Sequence, residues 1–258
     1  MIRWTLQDGV WELELGREPC NEIGTTVLDA LERFLDEVDL ENASALIVHS
    51  TVKGGFSAGA DLRELYRALL DVPPKEQEPG LRRFIDRIHS VMDRLDMLPL
   101  TTIGVVHGVC FGGGFELALT CDVLIAEKSA RFAFPELRLG LIPGFGGIPR
   151  LRRDVSNSVV RDLLLTGRSI NAKKALATGL VSQMVPVGDG LRAARATARQ
   201  CTKFDPEAAA ACKRFMKPLP REQLRQEKEH FIRLASRPFL KAALKKFVES
   251  DDIRPYLP

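Results

Sequence analysis

Cysteine is scarce and unpatterned in this sequence. The five present (Cys20, Cys110, Cys121, Cys201 and Cys212) form no CxxC pair and no run with metal-ligand spacing. That argues against a zinc site or a disulfide framework, and an odd number without a framework points to a reducing compartment. Long apolar runs are missing too. None reaches the length of a membrane span, and residues 1–15 alternate in polarity instead of forming the apolar stretch of a signal peptide. The expectation is a soluble, cytoplasmic protein without a membrane partner. An excess of one charge sign is also lacking: 37 basic residues against 34 acidic leave a net +3. Basic residues occur only in short clusters, such as Arg150, Arg152 and Arg153 or Lys245 and Lys246. Nucleic acid is therefore not an expected partner. No fixed-period repeat and no low-complexity tract divides the chain.

What is present suits a layered enzyme-sized domain. The 258 residues, 45% of them hydrophobic, suffice for one sizeable core or for one domain with a helical appendage. Residues 2–7 and 10–15 alternate around Asp8-Gly9 and predict a β-hairpin. Apolar residues at Val27, Leu28, Leu31, Phe34, Leu35 and Val38 have helical spacing, with Thr25 or Thr26 as the cap. Strands are predicted over 45–50, 101–106, 123–126 and 131–134, and helices over 61–70, 81–97 and 115–121. Between them, 72–80 is rich in proline and charge and reads as a loop. From Ser158 onward a helical pattern dominates, broken at Gly167, Gly179 and Pro218-Leu-Pro220. Strands alternating with helices, followed by a helical tail, predict an α/β fold. The domain division expected is a core over 1–195 and a helical region over 196–258.

The segment 108–122 follows a strand and opens a helix through Gly112-Gly113-Gly114. Glycines at such a turn allow backbone N–H groups to point outward, and the helix N-terminus adds unpaired donors and positive potential. That suits a phosphate or a developing oxyanion, or simply a helix packed close on a sheet. No GK[ST] ending and no GxGxxG pattern is present, which disfavours nucleotides. Residues 54–61 form a second small-residue turn into a helix, from which a second donor could aim at the same point. Glu116 lies just inside the glycine-opened helix, and Glu136 follows a strand at Phe134-Pro135. Each has an ordinary reading, as a dipole partner and as a solvated loop carboxylate. Converging on a polarised carbonyl, the two would remove a proton at one carbon and deliver one at another.

The two turns and both glutamates together resemble the crotonase, or enoyl-CoA hydratase/isomerase, superfamily. The matching stretches are Phe56 to Leu62, Gly108 to Asp122, Pro135 to Gly147, Leu165 to Arg168 and Ala175 to Val181, with a weaker match from Phe239 to Glu249. The resemblance implies a spiral of ββα turns in two roughly perpendicular sheets, with C-terminal helices that build a homotrimer, stacked in many relatives into a hexamer. It implies backbone oxyanion donors at Ala60 and Gly113, and a backbone carbonyl at Ala58 for the adenine. Asp61, Tyr66 and Phe145 are the other candidate substrate- and CoA-binding residues, Tyr66 within a variable 66–83 segment that covers the acyl pocket in relatives. Glu116 and Glu136 fall on the catalytic pair of hydratases, which add water across a 2-enoyl thioester. No metal and no cofactor is implied beyond the coenzyme A carried by the substrate.

The same resemblance leaves alternatives. An isomerase or decarboxylase uses the same scaffold, and a binding-only subunit would have no need of two acids. The sequence also departs from the common pattern. Cys20 stands where relatives often carry a basic residue, and Gly146-Gly-Ile-Pro-Arg150 replaces a common Gly-Gly-Thr-Gln-Arg. The tail over 247–252 is acidic, leaving Arg254, Lys245 and Lys246 as the basic candidates for CoA phosphates. An acyl carrier protein in place of CoA is the corresponding alternative. His107, Cys110 and Cys121 read as packing residues, and Arg150, Arg152 and Arg153 as a solvated basic surface.

Overall fold

The computed structural model describes residues 1–250, and of Pro74 only the backbone. The N-terminal alternation forms the expected antiparallel hairpin, β1 (Arg3–Gln7) and β2 (Val10–Leu15), around Asp8 and Gly9, both at positive φ. Helix α1 (Thr25–Glu37) follows. The chain then repeats one course three times. The first is β3 (Ala45–Ser50), β4 (Gly55–Ser57) and helices α2 (Leu62–Asp71) and α3 (Pro74–Met97). The second is β5 (Thr101–Val106), β6 (Val109–Phe111) and α4 (Gly113–Ala118). The third is β7 (Val123–Glu127), β8 (Arg131–Ala133), a 3₁₀ turn (Glu136–Leu139) and α5 (Gly147–Asp154). The remainder runs α6 (Asn157–Thr166), β9 (Ile170–Asn171), α7 (Ala172–Ala177), β10 (Gln183–Val185), α8 (Gly190–Cys201), α9 (Pro206–Met216), α10 (Arg221–Ala235) and α11 (Pro238–Val248).

Each course gives its first strand to one sheet and its second to another. The larger sheet has the order β1-β2-β3-β5-β7-β10, parallel apart from the hairpin, and the smaller has the order β4-β6-β8-β9, parallel apart from β8 with β9. This is the ββα spiral in two sheets that the resemblance implies. Strands β3 and β5 show no polar alternation because both their faces are covered. Ala45, Ile47, Ile103 and Val105 pack on Ala194 and Ala198 of α8. Leu46, Val48 and Val106 point the other way, into the main core with Phe34, Phe56 and Phe115.

Two local expectations are corrected. Residues 72–80 are not a loop: Pro73 is the N-cap of α3 and Pro74 opens it. Proline suits a first helical position, where its missing N–H has no partner to lose. Pro79 lies one turn in and removes one further bond. The break is held closed by Gln77, whose Nε2 donates to the Leu69 and Val72 carbonyls at 2.9 and 3.1 Å. Second, neither Thr25 nor Thr26 caps α1. The N-cap is Gly24, and the capping carboxylate arrives from α2, where Glu64 accepts from the Thr25 N–H at 3.0 and 3.1 Å. From Ser158 onward helices dominate as expected, with β9 and β10 between them. These two- and three-residue strands are too short to show a period of two.

Candidate functional site

In the smaller sheet β4, β6 and β8 are adjacent and parallel, so their carboxyl ends lie side by side, about 4.8 Å apart from strand to strand. Each runs at once into a helical start: 58–61 into α2, Gly112 into α4, and Phe134-Pro135 into the 3₁₀ turn. Such an edge is where ligands of parallel sheets bind. The repetition of the course therefore brings Ala60, Gly113 and Glu136 together from three distant parts of the chain.

The geometry there is tight. Gly112 has φ +49, and a Cβ on it would lie 2.7 Å from Glu136 Oε1. A Cβ on Gly113 would lie 2.6 Å from Phe145 Cε2 and 3.4 Å from the Ala60 nitrogen. Three neighbouring N–H groups are engaged: Gly59 donates to Ser57 Oγ at 3.2 Å, Asp61 to the Ile23 carbonyl at 3.0 Å, and Gly112 to the Ala133 carbonyl at 3.0 Å. Among the described residues, the Ala60 and Gly113 N–H groups have no acceptor. Two N–H donors without acceptors thus lie close together on a cavity that both residues line.

Glu116, in the first turn of α4, is buried. Its Oε1 accepts from the Phe145 and Gly147 N–H groups, each at 2.8 Å. Burial pushes its carboxyl up to about 7, against the pull of these two N–H groups. Glu136 is half-buried as a residue, but its Oε2 is wholly covered and without a hydrogen-bond partner among the described residues. Burial first and the Glu116 carboxylate second push Glu136 well above the usual carboxylate range. Both acids line the same cavity.

That cavity holds about 260 Å³. Leu65 and Leu69 of α2, Leu81 and Phe84 of α3, and Leu141, Phe145 and Phe231 give it a mostly apolar lining, to which Thr25, Asp61, Glu64, Glu76 and Gln77 add polar groups. No lysine, arginine or histidine lines it among the described residues. Helix α11 packs on α2 and on the 3₁₀ turn of the same chain, with the Phe239 ring against Gly140.

The other expected site residues fall as follows. Ala58 and Phe145 line the cavity, Phe145 as a core residue at the same time. Asp61 lines it with its carboxylate already engaged, capping α2 at the Glu64 N–H (2.9 Å) and pairing with Arg17 Nη2 (2.7 Å). Burial would raise Asp61, but the Glu64 N–H and Arg17 outweigh it and hold the carboxyl below its ordinary value. Tyr66 is not among the lining residues; it packs on the main core, while Leu62, Leu65 and Leu69 turn the cavity-facing stripe of α2 inward. His107 has the packing role expected of it, with Nε2 2.9 Å from the Val52 carbonyl. Lys245 lies 3.8 Å from Glu249, and Arg254 is outside the described residues.

The basic cluster needs correction. Arg150 is 0% exposed, with Nε 2.8 Å from Asp96 and Nη2 2.6 Å from Asp93, and Arg153 also reaches Asp96 at 3.2 Å. Arg150 Nη1 donates to the Phe145 carbonyl at 3.1 Å, so it braces the turn that holds Glu116. Only Arg152 is exposed. Two further residues of this turn escape sequence reasoning. His89 Nε2 lies 2.8 Å from the Gly144 carbonyl, and Glu227 of α10 accepts from the Gly146 and Ile148 N–H groups. Each sits on an amphipathic helix among ordinary surface charges, and no local pattern marks it out.

Two N–H groups without acceptors and two buried carboxyls lining one cavity form an arrangement suited to polarising a carbonyl and moving protons beside it. The chain belongs to the enoyl-CoA hydratase/isomerase family, whose model matches residues 5–254. It is 36% identical over 194 residues to a probable enoyl-CoA hydratase of Mycobacterium bovis, covering 75% of this chain and 71% of that protein. A carnitinyl-CoA dehydratase of Salmonella arizonae is 33% identical over 236 residues, 91% of this chain and 87% of its own. The crystal structure of an enoyl-CoA hydratase from Bacillus halodurans shares the fold, with a TM-score of 0.82 at 24% identity over 95% of this chain and 98% of that one. No helix among the described residues is long and apolar enough to cross a membrane.

Proposed function

We propose that this protein hydrates a 2-enoyl-CoA thioester to the 3-hydroxyacyl-CoA, or runs the reverse dehydration, on an acyl group that is apolar beyond the reacting carbons. The observation that carries this reading is the pair of unpaired N–H groups, Ala60 and Gly113, opening on the same cavity as Glu116 and Glu136. The thioester oxygen accepts from both N–H groups, which stabilise the enolate-like charge that grows on it in the transition state.

The unequal surroundings of the two glutamates divide the roles. Glu116, held by two N–H donors and pushed only to about 7, is the more readily ionised. It takes a proton from water as the oxygen attacks the β carbon. Glu136, without a hydrogen bond on Oε2 and pushed higher, keeps its proton and delivers it to the α carbon. Water is thereby added across the double bond, and the two carboxyls exchange protons with solvent before the next turnover. In the dehydration direction the roles reverse. Coenzyme A enters as part of the substrate, with no other cofactor or metal in the scheme.

A homotrimer, or a hexamer of two trimers, completes the proposal. It is supported by large apolar side chains left outside, with Phe215 90% and Leu165 71% exposed. A reducing, cytoplasmic setting is supported by the thiols, all of them free.

The test is incubation of the purified protein with crotonyl-CoA and with a medium-length straight-chain 2-enoyl-CoA. Loss of the enoyl absorbance, with a product heavier by one water, is expected. A product of unchanged mass would make the protein an isomerase, and no conversion of any enoyl-CoA would overturn the reading.

A further inference from the structure

Glu227 has no part in the chemistry proposed above, yet it is built into the same turn as Glu116. Its side chain, on α10, is buried; Oε1 accepts from the Gly146 N–H and Oε2 from the Ile148 N–H, each at 2.8 Å. Glu116 takes the Phe145 and Gly147 N–H groups, also at 2.8 Å. Four consecutive backbone donors are therefore shared alternately between two carboxyl groups, one from α4 and one from α10. The segment opens α5, where helical geometry leaves N–H groups without partners. A single carboxylate would fix only every second donor and leave the turn free to rotate about the others.

We infer that Glu227 is a positioning residue for Glu116, holding the 145–148 turn so that the Glu116 carboxylate is presented to the cavity in one orientation. This rests on Glu116 acting in the reaction as proposed. The two acids also sense one another. Burial pushes Glu227 well above the carboxylate range, and the Glu116 charge adds to the push. The other charged or titratable groups around the pair are Arg150 from α5, His89, Asp93 and Asp96 from α3, and Glu136 from the 3₁₀ turn. Asp93 and Asp96 are neutralised by Arg150 together with Arg153 and Lys217, and Arg150 reaches the turn through the Phe145 and Gly146 carbonyls. That leaves Glu227 as the acid sharing the Glu116 turn. Glu227, pushed higher than Glu116, keeps its proton while Glu116 ionises; removing its reach should let the turn drift and weaken the N–H hydrogen bonds that hold the Glu116 carboxyl down.

Glu227→Gln tests both consequences, because an amide keeps one acceptor but sets an NH₂ donor against the second N–H. With crotonyl-CoA as the probe, kcat is expected to fall about 10- to 100-fold, as for a misplaced catalytic group. KM should stay within about threefold, since no contact to substrate is lost. The rising limb of the pH–kcat profile should move to higher pH, because a drifting turn loosens the Phe145 and Gly147 N–H hydrogen bonds that lower the Glu116 carboxyl. A folded variant with wild-type kcat, or with lowered kcat and an unmoved pH profile, overturns the inference. Should Glu227→Gln fail to fold, infrared titration of the buried carboxylic acid bands serves instead. In a Glu136→Gln background, adding Glu116→Gln should shift the remaining Glu227 band to lower pH, and an unshifted band overturns the coupling. That titration needs no turnover, so it separates failure of this inference from failure of the hydratase reading.

Discussion

Ala60 and Gly113, 53 residues apart in sequence, stand so close that a Cβ added to Gly113 would lie 3.4 Å from the Ala60 nitrogen and 2.6 Å from the Phe145 ring. No alanine fits there without moving one of them. Gly113→Ala keeps the N–H but turns it, so the carbonyl loses one well-aimed donor. Displacing a donor of this kind costs about 10²–10³-fold in kcat. The check is initial-rate kinetics on 2-enoyl-CoA beside a thermal melt. A folded variant with unchanged kcat would remove Gly113 from the hole.

The acids should separate by pH. Glu116→Gln and Glu136→Gln are each expected to lower kcat about 10²–10⁴-fold. In the wild type, rate should rise as Glu116 ionises near pH 7 and fall again as Glu136, pushed higher by burial and by Glu116, loses its proton. The rising limb should vanish from the residual activity of Glu116→Gln and the falling limb from that of Glu136→Gln. The two limits belong to the pair as a whole in the wild type. Either variant retaining full activity would remove that glutamate from the scheme.

How far this site was legible in the sequence depends on which force built each part. The glycine turn, Glu116 and Glu136 were visible because close backbone approach restricts residue type, and those restrictions repeat across the family as short motifs. The strand–helix alternation was visible through buried runs such as 45–50. The roof of the cavity was not, because Pro73 and Pro74 break a chain locally and start a helix equally well; what decided was Gln77 reaching back to α2. Nor was the frame behind Glu116. Arg150 looked like part of a surface cluster since its partners Asp93 and Asp96 lie more than fifty residues away, and Glu227 becomes special only where α10 meets the 145–148 turn.

The cavity should reject charged acyl groups. Its wall is mostly apolar, its further charged residues Asp61, Glu64 and Glu76 are all acidic, and no cationic side chain lines it among the described residues. A carboxylate at the far end of the acyl chain would be desolvated without a partner, at a cost of several kcal/mol. The expected result is kcat/KM at least ~100-fold lower for a carboxylated 2-enoyl-CoA than for a straight-chain one of equal length. Competition between the two substrates in one assay measures this directly, and equal consumption would contradict an apolar acyl specificity.

Asp96 holds the frame together. It is 1% exposed and pairs with Arg150 at 2.8 Å, Arg153 at 3.2 Å and Lys217 at 3.0 Å. Burial alone would raise its carboxyl, but Lys217 and the two arginines hold it below the ordinary value. Asp96→Ala strands the buried Arg150, and breaking a buried pair from one side costs about 3–5 kcal/mol. Arg152→Ala, at an exposed position of the same cluster, should stay within about 0.5 kcal/mol. Urea unfolding of the two variants separates them. Similar midpoints would mean that the Asp96 network contributes no more than a surface charge.

The raised carboxyl of Glu116 must also appear in the stability of the protein. Its pKa goes up from 4.5 in the unfolded chain to about 7 in the fold, so between those values the native state binds more protons than the unfolded state. Stability from this group therefore falls as pH rises through that window. The loss is about 3 kcal/mol in all, at about 1.4 kcal/mol for each tenfold difference in proton affinity between the two states. His49 and His89 act in the opposite sense. Burial holds both neutral in the fold below their ordinary pKa, so their contribution grows as pH rises toward 6.5. They are the same in wild type and Glu116→Gln and cancel in the difference. Denaturant unfolding of both proteins at pH 5 and pH 8 should thus show the variant gaining about 3 kcal/mol relative to wild type at the higher pH. A constant difference would mean that Glu116 is ionised throughout the range, which would leave it a base in the hydration scheme but remove the pH 7 limit on its rate.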